Sequence, residues 1–256
     1  MIASSKRYKA FTFLLVLLFL GGCGMSKSRI KREQDATARY KFGIAFLGET
    51  PPAYQKAYIE FQTAVELDPK NHDAYYALGH VQFELENYKE AIASFKAALD
   101  IDPSYSEAHN YIGRIHAFLG EFDAAIASYE KALKNKKYAT PEAPYWNMGL
   151  IYMRQEKYDY AVQALKNALR MNPSLVAVHN LLGEVYDKMG ETDKAISSYK
   201  GAIKVNPNDL NAHYNLACIY KKQGSEALAN AEFDKAATLS PQLEEEEDFR
   251  KCLNPV

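Results

Sequence analysis

Three of the six histidines, His109, His179 and His213, stand 70 and 34 residues apart. Imidazoles are the first groups to test for metal chemistry, because a zinc site needs about four nitrogen, sulfur or oxygen donors converging on one point. Residues that recur at a fixed period instead belong to equivalent places in stacked units, which hold them apart. They read as packing histidines with one exposed nitrogen, and neither a metal nor another cofactor is expected. The sequence contains no glycine-rich phosphate loop, no Gly-x-Ser-x-Gly elbow and no His-Glu-x-x-His helix, which are the compact patterns that hydrolytic and phosphoryl chemistry would need. The expectation is a protein that is not an enzyme. The other reactive side chains are three cysteines, Cys23, Cys218 and Cys252, whose chemistry is acylation or disulfide formation.

The elements that would position these groups announce themselves through prolines. Pro69, Pro103, Pro173, Pro207 and Pro241 each follow Asp, Asn or Ser, at intervals of 34, 70, 34 and 34 residues. The interval of 70 is two periods with two extra residues, which belong in the stretch from Lys134 to Thr140. Inside each period a first helix repeats Tyr75, Leu78 and Gly79 as His109, Ile112 and Gly113, then Tyr145, Met148 and Gly149, then His179, Leu182 and Gly183, then His213, Leu216 and Ala217. A second helix carries a small-large-small set: Ala91, Phe95 and Ala98 are matched by Ala125, Tyr129 and Ala132, and so on to Ala229, Phe233 and Ala236. Glycine inside a helix costs about 1 kcal/mol against alanine, so a close helix contact must require it. Proline cannot sit mid-helix and therefore ends each unit. Thr140-Pro141-Glu142 reads as a helix start with a capping hydroxyl. Tyr40, Gly43, Phe46, Ala57, Phe61, Ala64 and Pro69 outline an irregular first unit.

This period and these signature positions resemble the tetratricopeptide repeat family, over about Ala36 to Pro241. The resemblance implies an all-α fold: a right-handed superhelical solenoid of about six helical hairpins in residues 36–241. Residues 242–256 would form a C-terminal capping helix and tail, which a solenoid needs because its last apolar face has no further repeat to cover it. In that register Cys218 takes the ninth place of the sixth unit, and Cys252 the ninth place of a seventh counted from Glu244. Equivalent helices run about 8 to 10 Å apart and a disulfide wants its Cα atoms within about 7 Å. Two free thiols are expected, although a shifted capping helix would let them pair.

Lys6, Arg7 and Lys9 precede an apolar run from Ala10 to Leu20, the length of a signal-peptide core and short of the ~20 residues a spanning helix needs. The run ends in Leu20-Gly21-Gly22-Cys23, which resembles the lipobox of bacterial lipoprotein precursors. It implies a signal peptide at 1–22, lipidation at Cys23, and a basic tether over 23–35. Two or more acyl chains make such an anchor stable where one is marginal. With Gly24 and not Asp after the cysteine, the resemblance favours the periplasmic face of the outer membrane, the inner membrane being the alternative.

A net charge of -1 with 25% charged residues supplies no basic stripe for phosphates, which excludes nucleic acid as the expected partner. In the repeat family, helix positions two, five, nine, twelve and thirteen line a concave, partner-binding face. Carried over, these hold Tyr76, His80 and Phe83 in the second unit, Asn110, Arg114 and Phe118 in the third, and Trp146, Leu150, Met153 and Arg154 in the fourth. The fifth and sixth units place Asn180, Glu184, Asp187, Lys188, Tyr214, Lys221 and Lys222 there, so the face turns polar. A clamp for a terminal carboxylate is rejected, because Ala177 and Leu181 stand where its basic residues would be.

Lipobox, short tether, six repeats and a cap together resemble the type IV pilus biogenesis lipoproteins that act as pilotins. That implies a monomer that binds a secretin subunit or its peptide segment and helps it assemble in the outer membrane. A general cell-envelope scaffold and a periplasmic chaperone for many clients are the other readings.

Overall fold

The computed structural model describes residues 27–240. The expected signal peptide, Cys23 and the expected cap over 242–256 lie outside them. The described residues are helical and carry no strand. A first helix, α1, covers 27–47. It is followed by α2 (Tyr54–Leu67), α3 (His72–Glu84), α4 (Tyr88–Ile101), α5 (Ser106–Phe118), α6 (Phe122–Ala132), α7 (Glu142–Arg154), α8 (Tyr158–Met171), α9 (Val176–Lys188), α10 (Thr192–Val205), α11 (Leu210–Lys222) and α12 (Glu226–Leu239). Short links join each of these helices to the next. The basic stretch read as part of the tether is helical from residue 27, and residues 27–35 are exposed along their whole length. No glycine or proline interrupts it before Gly43, so nothing stops the helix from extending past its packed part.

The chain divides into two compact units, one ending at Ile115 and the other beginning at His116; each is described by itself. In the first, α2 packs on α3 and α3 on α4. In the second, α6 packs on α7, α7 on α8, and so on pairwise to α12.

Local chemistry explains the period. Asp68, Asp102, Asn172 and Asn206 each accept a hydrogen bond from the backbone N–H two residues on, at 2.9 to 3.1 Å. These are Asx turns with proline locked at their centre, and they end α2, α4, α8 and α10 in the same way. The first helices begin at 72, 106, 142, 176 and 210, and the one departure from 34 falls between α6 and α7. There α6 has 11 residues where α4, α8, α10 and α12 each have 14, and buried Tyr138 plugs the longer link. Thr140 does not cap α7 through its hydroxyl. The carbonyl of Thr140 accepts from Ala143 N–H instead, because Pro141 continues the helical backbone one residue upstream of α7.

The interior glycines have their predicted reason. A Cβ on Gly149 would lie 2.5 Å from the Leu165 side chain, on Gly79 2.9 Å from Phe95, and on Gly183 2.7 Å from Tyr199. The large residue of the second helix thus sits on the bare backbone of its own first helix. Phe95 does more, stacking on Tyr111 of the next unit with ring centroids 5.3 Å apart.

After α3, α5, α7, α9 and α11 the chain turns through a left-handed residue at one fixed place, the fifteenth counted from the start of the helix. Gly120, Gly190 and Gly224 have φ of 72° to 78°, and Glu86 and Glu156 adopt the same conformation at 61° and 58°. A left-handed residue after a helix end frees backbone groups to close the helix.

The thiol expectation is overturned for Cys218, which is disulfide-bonded; its partner lies outside the described residues. The expectation used the distance between helix axes. A separation between helix axes does not set that between Cα atoms, which lie about 2.3 Å from each axis.

Candidate functional site: two apolar faces

In the first unit the predicted face residues of α3 and α5 converge on a side chain the sequence reading passed over, Tyr111. Tyr76 lies 5.7 Å from it, His80 5.3 Å and Phe83 5.7 Å by ring centroids, all steeply inclined or edge-on. The Arg114 guanidinium covers both rings, 4.7 Å from Tyr111 and 4.9 Å from Phe83. A desolvated cation over an aromatic face contributes up to about 2 kcal/mol, so this stack is a rigid platform and not a set of loose side chains. Tyr76 also meets Tyr105 at 5.1 Å, and the Tyr105 hydroxyl donates to Asp73 Oδ1 at 3.0 Å.

The electrostatics follow from this crowding. Burial pushes the Tyr111 hydroxyl above its ordinary range, and burial followed by the Asp73 carboxylate does the same to Tyr105. Burial also holds His80 below its ordinary value of 6.5, against the opposing pull of Glu84. His80 is therefore a neutral ring in the wall of the patch at pH 7. Asn110, by contrast, is buried at 8% exposure. Its Oδ1 is enclosed without a hydrogen-bond partner, so it belongs to the support of the face more than to its surface.

In the second unit the same repeat positions look different. Phe118 is 68% exposed and Leu150 44%. Trp146 and Met153 are half-buried and lean on the core cluster around Leu165 and Leu182. Arg154 is exposed, its guanidinium 5.3 Å above the Phe122 ring. Phe118 and Leu150 are largely exposed to solvent, while Trp146 is partly spent on packing. The sequence gives the repeat position, which fixes direction; the size of the neighbours, which fixes exposure, is not in the position.

Further along the second unit, charge replaces apolar surface. Lys222 pairs with Asp187 at 3.3 Å and Lys221 with Glu226 at 2.8 Å. The Asn180 amide donates to Asp209 Oδ1 at 2.7 Å. These ties fall between and within hairpins, and they match the polar turn read from the sequence.

The three periodic histidines do a structural task. Nε2 of His109, His179 and His213 lies 3.3, 3.0 and 2.9 Å from the carbonyl oxygens of Pro103, Pro173 and Pro207. Each donates to the turn that precedes its helix. His213 also binds the Glu232 carboxylate through Nδ1, so its second nitrogen is engaged and not exposed as expected; the ring is 2% exposed. Gly201 leaves room for His179, whose Nδ1 would meet an added Cβ at 2.7 Å. Among the described residues no three His, Cys, Asp or Glu side chains come together as a metal site. No described helix is long and apolar enough to cross a membrane.

Comparison with known proteins agrees with this geometry. Models of the tetratricopeptide repeat match residues 54–106 and 76–144, 149–190 and 188–224, and 210–243, together most of the chain. No curated protein sequence matches. Among solved structures, PilF of Pseudomonas aeruginosa is similar with a TM-score of 0.72, at 20% identity, over 86% of this chain and 98% of that one. PilW, described as a widely conserved type IV pilus biogenesis factor, has a TM-score of 0.69 at 21% identity with the same coverage. YrrB, described as a TPR protein with an unusual peptide-binding site, has a TM-score of 0.60 at 20% identity over 75% of this chain and 95% of that one. At these identities the likeness is one of fold.

Proposed function

We propose that this chain, which belongs to the tetratricopeptide repeat family, is a lipid-anchored pilotin-like factor that binds a secretin subunit during type IV pilus biogenesis. The coarser statement, a repeat scaffold resembling type IV pilus biogenesis proteins, stands on the family matches and on the fold. The finer one is carried by one observation above all. The apolar positions of α5 and α7, Phe118 and Leu150, are 68% and 44% exposed, and they are apolar surface at repeat positions that line the partner-binding face in the family. An apolar or aromatic peptide segment is the chemistry that would cover it, and the end segment of a secretin subunit is the candidate. Similarity to PilF and PilW over nearly their whole length supports the pilus assignment. Lipidation at Cys23, by resemblance to the lipobox, would hold the scaffold at the outer membrane where secretins assemble.

The test uses cells. In a deletion strain, heat-stable secretin multimers should fall and pilus-dependent motility should be lost. A chain with Phe118→Ala and Leu150→Ala, at normal level, should restore neither fully. Normal multimers in the deletion strain would remove the pilotin reading and leave a general envelope scaffold. Cys23→Ser should release the protein from membranes; retention after salt and urea washing would remove the anchor.

A further inference from the structure

Directly after the large core residue of α4, α8 and α10 stands a lysine: Lys96, Lys166 and Lys200. In α6 the same place holds Glu130. A tyrosine recurs likewise after the buried aliphatic residue of the first helices, as Tyr152 in α7, Tyr186 in α9 and Tyr220 in α11. Where both recur, the lysine covers the tyrosine of the next helix. Lys166 Nζ lies 5.7 Å from the centre of the Tyr186 ring, and Lys200 Nζ 5.9 Å from that of Tyr220. Lys194, the third residue of α10, covers Tyr186 as well, at 5.6 Å. At Tyr152 both cations are replaced: Glu130 stands in the place of Lys166, and Tyr160, the third residue of α8, in that of Lys194. Tyr160 is 59% exposed, and its ring centre is 5.4 Å from that of Tyr152. Burial, then the Glu130 carboxylate, raises the Tyr152 hydroxyl above its ordinary range, so Glu130 is within electrostatic reach of the ring. The two tyrosines, Asp123 and Glu130 line an open cavity of about 390 Å³ with Ile126 and Lys157. Among the described residues no lysine or arginine lies over Tyr152 or Tyr160, and neither Asp123 nor Glu130 forms an ion pair.

We infer that this cavity, formed by α6, α7 and α8, is a binding site for a lysine side chain of a partner protein. The ammonium takes the place over Tyr152 that the chain's own lysines take over Tyr186 and Tyr220. A tyrosine ring attracts a cation through the negative potential of its face, and two carboxylates beside it add a Coulomb attraction of the same sign. Tyr160 and Ile126 offer apolar surface to the four-carbon stem, which packs while its head stays polar. Lys157 shares the cavity wall without covering either ring, so two carboxylates face one ammonium of the chain's own. Tyr152 follows Leu150 by two residues, about 200° around the helix. The site is therefore separate from the apolar positions above, and it does not rest on the pilus reading.

The probe is Nα-acetyl-lysine-N-methylamide, titrated at constant ionic strength into the full chain with its tyrosine rings isotopically labelled for NMR. The ring signals of Tyr152 and Tyr160 should shift saturably, while those of Tyr186 and Tyr220, already covered, stay in place. The norleucine analogue, with the stem but no charge, should leave all four unmoved. Glu130→Lys recreates the arrangement of the neighbouring units and should weaken binding about tenfold or more at unchanged melting temperature, since the chain then supplies the cation itself. Unshifted rings, equal shifts with the norleucine analogue, or full affinity in Glu130→Lys would overturn the site. Should that variant fail to fold, full affinity in Tyr160→Leu, at an exposed position, would overturn it equally. Carbodiimide coupling in permeabilised host cells, mapped by mass spectrometry, then identifies the occupant. The expected product is an amide between Glu130 or Asp123 and a lysine of another protein. Coupling only to lysines of this chain, or to none, would remove the partner.

Discussion

The faces of α3 and α7 occupy equivalent places in the repeat and have been put to different use. On α3, Tyr76, His80 and Phe83 are locked around Tyr111 and Arg114, each ring touching another. On α7, Leu150 stands in solvent, with Phe118 at the end of α5 more exposed still. The first face is a set of rings locked on one another; the second leaves more of its apolar surface exposed. The difference comes from the sixth place of the following helix. Tyr111 fills that place after α3 and draws the face residues inward. Binding energy is carried by a few buried anchors, so the exposed pair should matter for capture and the interlocked group for stability.

That division can be broken most sharply on two consecutive residues. Gly149→Leu would drive a side chain into Leu165, already 2.5 Å from where a Cβ would lie, and should cost about 3 kcal/mol, read as a drop in denaturant midpoint with unchanged slope. Its neighbour Leu150 should behave oppositely, with alanine there altering the midpoint by less than about 0.5 kcal/mol. Equal losses at both positions would mean that α7 is rotated from the register described. Tyr111→Ala should lose about 2 kcal/mol or more of stability, since a half-buried aromatic and the stack on it go together. A Tyr111→Ala chain of full stability would dissolve the contrast between the faces.

The capture side of the comparison is smaller in free energy but more specific. Phe118→Ala with Leu150→Ala should weaken partner binding by about 2 kcal/mol, roughly 30-fold, at unchanged melting temperature. Binding measured on purified proteins that matched the parent chain would move the partner site to the interlocked face.

His80 sharpens the comparison through pH. Its proton affinity is lowered in the folded chain by burial, so the unfolded chain binds the proton more strongly. The associated stability is present above the ordinary value of 6.5 and is lost as pH falls through the lower folded value. His80→Gln should flatten this acid-side loss in unfolding titrations between pH 7 and pH 4. An unaltered pH profile would show that the ring is not enclosed. The smallest effect belongs to the turns: Glu156→Gly, where φ is 58°, should add a few tenths to about 1 kcal/mol by relieving a left-handed non-glycine residue. A loss of that size would mean the Glu156 side chain contributes more than its backbone costs.

The Asx-Pro turns, the 34-residue period, the extra residues before α7 and the glycines under Phe95, Leu165 and Tyr199 were legible in the sequence. All are set by local chemistry or by a size requirement that recurs: proline lacks an N–H, an aspartate or asparagine side chain reaches two residues on, and a helix crossing that close admits no Cβ. Helical spacing also says which residues share a side of their helix. Tertiary structure alone decided how far each side chain was covered, because that depends on what the neighbouring repeat places beside it. So Tyr111 became the centre of a patch, Trp146 went half into the core and Phe118 stayed outside. It also decided that the histidines bind proline carbonyls, that Glu86 and Glu156 take the left-handed turn filled elsewhere by glycine, and that Cys218 carries a bond. Each of these needs two parts of the chain at one distance, and spacing along a sequence bounds such a distance without setting it.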